Sequence, residues 1–241
     1  MNKVDIHCHI LPCVDDGAGG TEEALRLLKM QEEAGVTRVI LTPHLRSRMF
    51  ETPDDEIIRR FMQLNERKKE AGIKAELSLS REYHYDRSLS ETLKEGREIL
   101  MAGRVMLLEF SHDTAFEDMY HGVQILRKRK ITPLIAHIER YREIQKDTDK
   151  AASLRDLGAL IQVNAGSILG EEDRAGKKCA HALIKGDIVF AVGSDSHNVR
   201  DRQPNLKECE ALLTKKYGAE YARKVLSDNP SKLFKPFGKE S

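Results

Sequence analysis

Seven short apolar runs recur along this chain, at residues 4–7, 37–42, 74–80, 105–110, 132–136, 159–163 and 187–192, and most meet a loop at a carboxylate or a histidine. Each run is too short for an ordinary helix, and turn-forming Gly, Pro, Asn or Asp residues punctuate the sequence between them. Amphipathic helical patterns separate the runs at residues 21–34, 53–71, 90–102, 117–130, 149–157 and 173–184, and two more follow at 205–217 and 219–226. Thr21 reads as a helix cap, and Gly35 and Gly72 as helix stops. Strands alternating with helices call for a parallel sheet, because parallel neighbours need a long crossover connection. A parallel βα barrel gathers its active site at the C-terminal strand ends, which suits polar groups placed after nearly every run. An open doubly wound sheet is the alternative and would concentrate its site at one switch point.

The chain has 241 residues, enough for one large α/β domain over 1–241 that buries roughly 70 to 75 percent of its unfolded surface. Aromatic residues make up only 5% of it, so aliphatic side chains must form most of the core. The formal charge of +1 offers no broad attraction for nucleic acid, and no nucleic-acid partner is expected. The sequence contains neither an 18-residue apolar span nor a secretory leader pattern, so a cytoplasmic protein without membrane insertion is expected. Cys8, Cys13, Cys179 and Cys209 form no CxxC pair, and free thiols are expected.

The most suggestive residues stand at the two ends of the chain, in Asp5-Ile6-His7-Cys8-His9 and Ser194-Asp195-Ser196-His197. In extended backbone alternate side chains share a face, so His7 can join His9, and Asp195 can join His197, around one ion. Asp15, Asp16, His44, Glu82, Glu109 and His137 lie between these ends. Burying so many unpaired polar groups is costly unless an ion or a complete hydrogen-bond network satisfies them. Both readings are open at this point.

The ordered segments DIHCHILPCVDDG, TPH, LSREY, LLEF, AHIERY, QVNAGSILG and GSDSHN resemble the polymerase and histidinol phosphatase (PHP) superfamily. Within it they are most similar to the bacterial capsular-polysaccharide protein-tyrosine phosphatases, and the resemblance covers nearly the whole chain. It implies a distorted seven-stranded parallel βα barrel carrying a multinuclear, commonly trinuclear, Mn2+ cluster, with Fe, Zn2+, Co2+ or Mg2+ as alternatives. His7, His9, Glu82 and Asp195 resemble the ligands of one ion. Glu82 resembles a carboxylate shared with a second ion, held also by Glu109 and His137, and Asp16, His44 and His197 resemble the ligands of a third. Asp15 resembles a residue supporting the ligands. Cys13, Leu45, Arg81 and Ile138 depart from the familiar pattern, which bears on the pocket more than on the ligand set.

Such a cluster is suited to phosphate-monoester hydrolysis, with metal-activated hydroxide as the expected nucleophile and a second ion clamping phosphate oxygens. No CxxxxxR motif suggests a cysteine nucleophile. Arg140 and Arg202 are the expected phosphate clamps, by the resemblance and by the fit of a guanidinium to an oxyanion. Tyr83 and Tyr141 either border an aromatic substrate or pack in the core, and Arg46-Ser47-Arg48 with Met49-Phe50 either meets an acidic phosphotyrosine peptide or forms a solvated loop. Lys146, Lys150, Lys177 and Lys178 read as solvent-facing. The expected function is metal-dependent hydrolysis of protein phosphotyrosine. The resemblance implies that the partner is an autophosphorylated bacterial tyrosine kinase governing capsule or exopolysaccharide production. A small-molecule phosphomonoesterase such as a histidinol-phosphate phosphatase, and a non-enzymatic phosphoprotein-binding scaffold, are the alternatives.

Overall fold

The computed structural model describes residues 1–86, 93 and 98–238. Its strands are β1 (Lys3–Asp5), β2 (Val36–Leu41), β3 (His44–Leu45), β4 (Glu76–Leu79), β5 (Glu82–His84), β6 (Val105–Glu109), β7 (Thr132–Ile135), β8 (Leu160–Asn164) and β9 (Ala191–Gly193). They form a three-stranded sheet, β1-β2-β4, and a six-stranded sheet, β3-β5-β6-β7-β8-β9. All ladders are parallel. Backbone bonds from Ser80 N to Leu41 O (2.9 Å) and from Glu82 N to Pro43 O (3.1 Å) extend the β2–β4 ladder toward the β3–β5 ladder, so the two sheets run on from one another. At the other side, Asp195 N donates to His7 O and His9 N to Ser196 O, both at 2.8 Å. The parallel sheet therefore curls until the extension of its last strand meets the extension of its first.

The α/β class agrees with the alternating pattern, and among the described residues nine short strands in two sheets stand where seven runs are expected. Pro43 has no N–H to donate, which splits the run at 36–45 into β2 and β3, and the neighbouring run breaks at Ser80-Arg81 into β4 and β5. The last strand is also shorter than expected, beginning at Ala191 after a left-handed Asp187 (φ 52°).

Helices Thr21–Glu33, Asp54–Glu70, Phe116–Lys128, Asp149–Asp156, Arg174–Lys185 and Leu206–Tyr217 fall close to their expected positions. Thr21 is the first helical residue, not the cap, which is Gly20. Asp173 does cap its helix, its side chain accepting from Gly176 N at 2.8 Å. The expected helix at 90–102 lies largely outside the described residues, and Met101 instead forms an isolated bridge with Val105. The last expected helix is Ala219–Arg223 followed by π-helical turns over Lys224–Asp228. Two short elements that the periodicity does not reveal, Ile138–Arg140 and Ala165–Leu169, follow closely on β7 and β8 and carry chain away from the strand ends.

Side chains along the strands alternate between two apolar layers, as the period of two requires. Met106 and Leu108 join the layer shared with helix residues such as Leu27, Leu64, Leu126 and Leu183. Val105 and Leu107 instead join Val4, Ile6, Ile40, Leu134 and Ala191 on the inner face. That inner apolar layer is the floor on which the polar site stands.

Candidate metal centre

The site begins where the inner face stops being apolar. On β6, Glu109 continues the face of Val105 and Leu107, and in the β3–β5 register His44 lies opposite Glu82. His7 and His9 follow β1, next to the segment that carries Asp195 and His197. Close approach of these pieces requires glycine at two points. A Cβ on Gly193 would lie 2.7 Å from His7 Cβ, and one on Gly17 would lie 1.9 Å from His9 O.

All nine expected ligand residues converge. Ligand atoms lie within 4.8 Å of one another in four groups: His9, Asp16, His44 and His197; His7, His9 and Asp195; His7, Glu82 and His137; and His44, Glu82 and Glu109. The distribution differs in detail from the expected one. His9 joins the Asp16, His44 and His197 group, while Glu109 groups with His44 and stands 3.8 Å from His137 Nε2. Glu82 is the hub: its Oε2 is 3.1 Å from His7 Nε2, 3.2 Å from His9 Nε2 and 3.0 Å from His44 Nδ1, and its Oε1 is 3.0 Å from His137 Nε2.

Several imidazoles are oriented through hydrogen bonds at Nδ1. His7 Nδ1 lies 3.1 Å from Gln162 Oε1, His9 Nδ1 2.8 Å from Asp15 Oδ2, and His197 Nδ1 2.9 Å from the Asp195 carbonyl. Each acceptor fixes N–H on Nδ1 and turns Nε2 toward the cluster, the arrangement by which proteins orient metal-binding histidines. A hydrogen-bond network alone does not satisfy this centre. Glu82 Oε2, Glu109 Oε2, His44 Nδ1 and His197 Nε2 are buried without a hydrogen-bond partner, although their lone pairs crowd together. Unsatisfied buried polar atoms are costly, and a cation between them removes that cost. The donor set, imidazole nitrogens with carboxylate oxygens and no thiolate, suits hard or borderline divalent ions.

The electrostatics agree with a site built for positive charge. Burial alone would raise the Glu82 carboxyl, yet His7, His44 and the hydrogen bond from His137 hold it well below the usual range. Burial and the negative charge of Glu82 push Glu109 up to about 8. Burial, and then His9, lower His44 to about 4 and His197 to about 2, so both rings are neutral and able to coordinate. Burial opposes charge on His9 too, but Asp15 and Glu82 overcome it and raise this ring well above its usual value.

Two site residues sit in strained backbone, His137 at φ 31° and Asp195 at φ 52°. The left-handed region costs a non-glycine residue on the order of 1–3 kcal/mol and persists only where the surroundings impose it. Asp195 is imposed upon heavily: its Oδ2 accepts from Arg202 Nη2 at 2.6 Å, Arg140 Nη1 at 3.3 Å and Asn164 Nδ2 at 2.8 Å. Both expected phosphate clamps thus converge on one carboxylate of the cluster, and Glu172 holds Arg140 from the other side through Nε at 3.0 Å.

Gln162 and Asn164 are site residues that the motifs do not single out. They share the inner face of β8, and Gln162 Oε1 also accepts from His137 N at 2.8 Å while its Nε2 donates to Asn164 Oδ1 at 2.9 Å. A signal for them exists, since a polar i, i+2 pair at a strand end is the same pattern as His7 and His9. Of the two alternatives for Tyr83 and Tyr141, a substrate border or core packing, the structure shows core packing. Tyr141 and Tyr83 are buried, with hydroxyls engaged by Ala136 O and Phe110 N in one case and by Ile99 N in the other. Phe50 does stand at the cluster, its ring stacked on His44 at 5.2 Å and 12°. All four cysteines are free.

Residues 3–235 match the family model for capsular polysaccharide synthesis proteins of the CpsB/CapC type. The tyrosine-protein phosphatase CpsB of Streptococcus pneumoniae is 35% identical over 237 residues, spanning 95% of this chain and 97% of that protein. A solved structure from the work on Bacillus subtilis YwqE and S. pneumoniae CpsB, described there as unique metal-dependent tyrosine phosphatases, superposes with a TM-score of 0.88 at 27% identity, covering 95% of this chain and 93% of that one. The phosphotriesterase homology protein of Escherichia coli, at 13% identity and a TM-score of 0.65 over 97% of this chain and 99% of that one, shares the fold. This chain belongs to the CpsB/CapC family.

Proposed function

We propose that this protein is a metal-dependent phosphatase that hydrolyses phosphotyrosine on proteins, and that Mn2+ is its preferred ion. The carrying observation is the convergence of nine imidazole and carboxylate side chains, several with orphaned buried atoms, beside two guanidinium groups anchored on Asp195. Relatives that bear the name tyrosine-protein phosphatase, matched over almost their full length, support this over a small-molecule phosphatase or a binding scaffold.

His7, His9, Asp16, His44, Glu82, Glu109, His137, Asp195 and His197 would hold the ions. When bound, adjacent divalent ions supply Lewis acidity for a phosphate oxygen and activate water near neutral pH. Arg140 and Arg202 bind and orient the phosphate through the N–H groups not committed to Glu172 and Asp195, and Asp195 keeps the two forks at a common edge. Asp15 and Gln162 hold the histidine tautomers throughout. A tyrosine leaving group has a pKa near 10, so its departure demands little from a proton donor.

The barrel is proposed to act as one domain over 1–241, with β2/β3 and β4/β5 as two interrupted strands in a seven-stranded ring. Among the described residues no helix is long and apolar enough to cross a membrane. A cytoplasmic location is proposed, with an autophosphorylated bacterial tyrosine kinase as the protein substrate. Turnover of a phosphotyrosine peptide, histidinol phosphate and a short DNA strand, measured side by side, tests the reading. The peptide should dominate, chelation should abolish its turnover, and Mn2+ should restore it. Full activity after exhaustive chelation, or a preference for histidinol phosphate, would sink the proposal.

A further inference from the structure

Arg81 is among the largest fully buried side chains of the molecule. Its guanidinium joins three separate acceptors: Nη1 donates to Thr52 O at 2.8 Å and to Asp54 Oδ1 at 2.6 Å, and Nη2 donates to His44 O at 2.8 Å. Burying an arginine is expensive, and a neutral side chain could fill the same volume without that cost. The charge is therefore best explained by what its fork connects.

Those connections all lead to one edge of the metal centre. His44 is held by its backbone from both sides, its N–H donating to Asp15 Oδ2 at 2.9 Å and its carbonyl accepting from Arg81. Just beyond it the chain makes a tight loop, closed by reciprocal 2.9 Å bonds between Arg46 and Phe50, whose ring then stacks on the His44 imidazole. The return limb is pinned by Arg81 at Thr52 and Asp54, and by Thr52 Oγ1 donating to Val14 O at 2.9 Å. Arg81 itself immediately precedes Glu82, the hub of the cluster. One rigid cation thus fixes the distance between the strand bearing Glu82, the backbone of His44 and the loop that presses Phe50 onto His44.

We infer that Arg81 is a positioning residue for the His44 edge of the metal centre, acting as a buried latch through Asp54, Thr52 and the His44 carbonyl. The inference rests on the reading of His44 as a metal ligand. Removing the latch frees the His44 backbone and the loop together, and weakens the ion that His44 shares while leaving ions held from His7, His137 and Asp195 in place.

The test uses the full chain and the variants Arg81→Lys, Arg81→Gln and Asp54→Asn. Mn2+ binding is followed by calorimetry, and Co2+ binding by the visible absorption of the bound ion. Supporting groups around metal ligands typically contribute about 10- to 100-fold in affinity. Arg81→Gln should weaken one class of Mn2+ site by about tenfold or more and alter the Co2+ spectrum. Arg81→Lys should recover part of that loss, and Asp54→Asn, at a partly exposed position, should show a smaller shift of the same kind even if Arg81→Gln fails to fold. Isotherms and Co2+ spectra identical to wild type in Asp54→Asn and Arg81→Lys would overturn the inference. A wild-type chain that binds neither ion would instead overturn the metal reading itself.

Discussion

Two stretches of the same strand faces are chemically opposite. On β6, Val105 and Leu107 enter the inner apolar cluster, and Glu109, the next residue on that face, enters the metal centre. β8 repeats the change, from Leu160 to Gln162 and Asn164. Ile40 and Glu82 are both fully buried, yet burial stabilises the fold through the first and is a cost at the second. Stability and chemistry are thus separated along the strand axis, the polar groups standing in the last residues of β6 and β8 and just beyond the ends of β1, β7 and β9.

Substitutions on either side of that division should behave differently. The largest effect is expected at the hub: Glu82→Gln, which keeps size and removes charge, should lower phosphotyrosine turnover by on the order of 10³-fold, since metal ions contribute several kcal/mol to such reactions. Steady-state kinetics with metal content measured in parallel would check this, and near-normal turnover would erase the proposed contrast. Ile40→Ala in the apolar layer should reverse the pattern, costing about 2–5 kcal/mol in denaturant unfolding while the folded fraction binds metal normally. At the boundary, Gln162→Met should keep the fold and weaken Mn2+ binding by about 10- to 100-fold, because His7 loses the acceptor that fixes its tautomer.

The smallest effect concerns Glu139, a buried carboxyl beneath the site that accepts from Asn164 N at 3.0 Å. Burial pushes it up to about 8 from the usual 4.5. A carboxyl raised in the folded state retains its proton after the unfolded chain has released it. Its contribution to stability is therefore full below 4.5 and is lost as pH rises toward about 8. Melting temperatures of the chelated protein across that window should fall less steeply in Glu139→Gln than in wild type. Parallel slopes would show that Glu139 ionises freely in the folded protein.

Much of the site is legible in the sequence because its residues obey local rules. The pairs His7/His9 and Asp195/His197 announce themselves through the period of a strand, and the apolar runs leading to Glu109 and His137 mark strand ends by their pattern alone. What stays hidden depends on distant partners. Nothing near Arg81 in sequence reveals that Thr52, Asp54 and His44 surround its guanidinium, so burial of that charge is not readable locally. The interruption of two expected strands is hidden for a related reason. Pro43 is visible in the TPH segment, but whether one missing donor divides a strand depends on what lies opposite it. Gln162 and Asn164 have an informative spacing, but amides attract less notice than histidines and carboxylates.

The junction between the chain's two ends also bears on the order in which the centre can be assembled. Asp5 accepts from both the backbone and the hydroxyl of Ser194, 189 residues away, and His7 O accepts from Asp195 N. Arg202, which completes the rim, comes later still. Chains are synthesised from the N-terminus, so a growing polypeptide carries His7, His9, His44 and Glu82 long before the residues that close the ring around them. The unfinished chain has neither the full ligand set nor the Arg202 guanidinium. The full set of residues that meets at the centre is therefore present only after nearly all of the strands have been made.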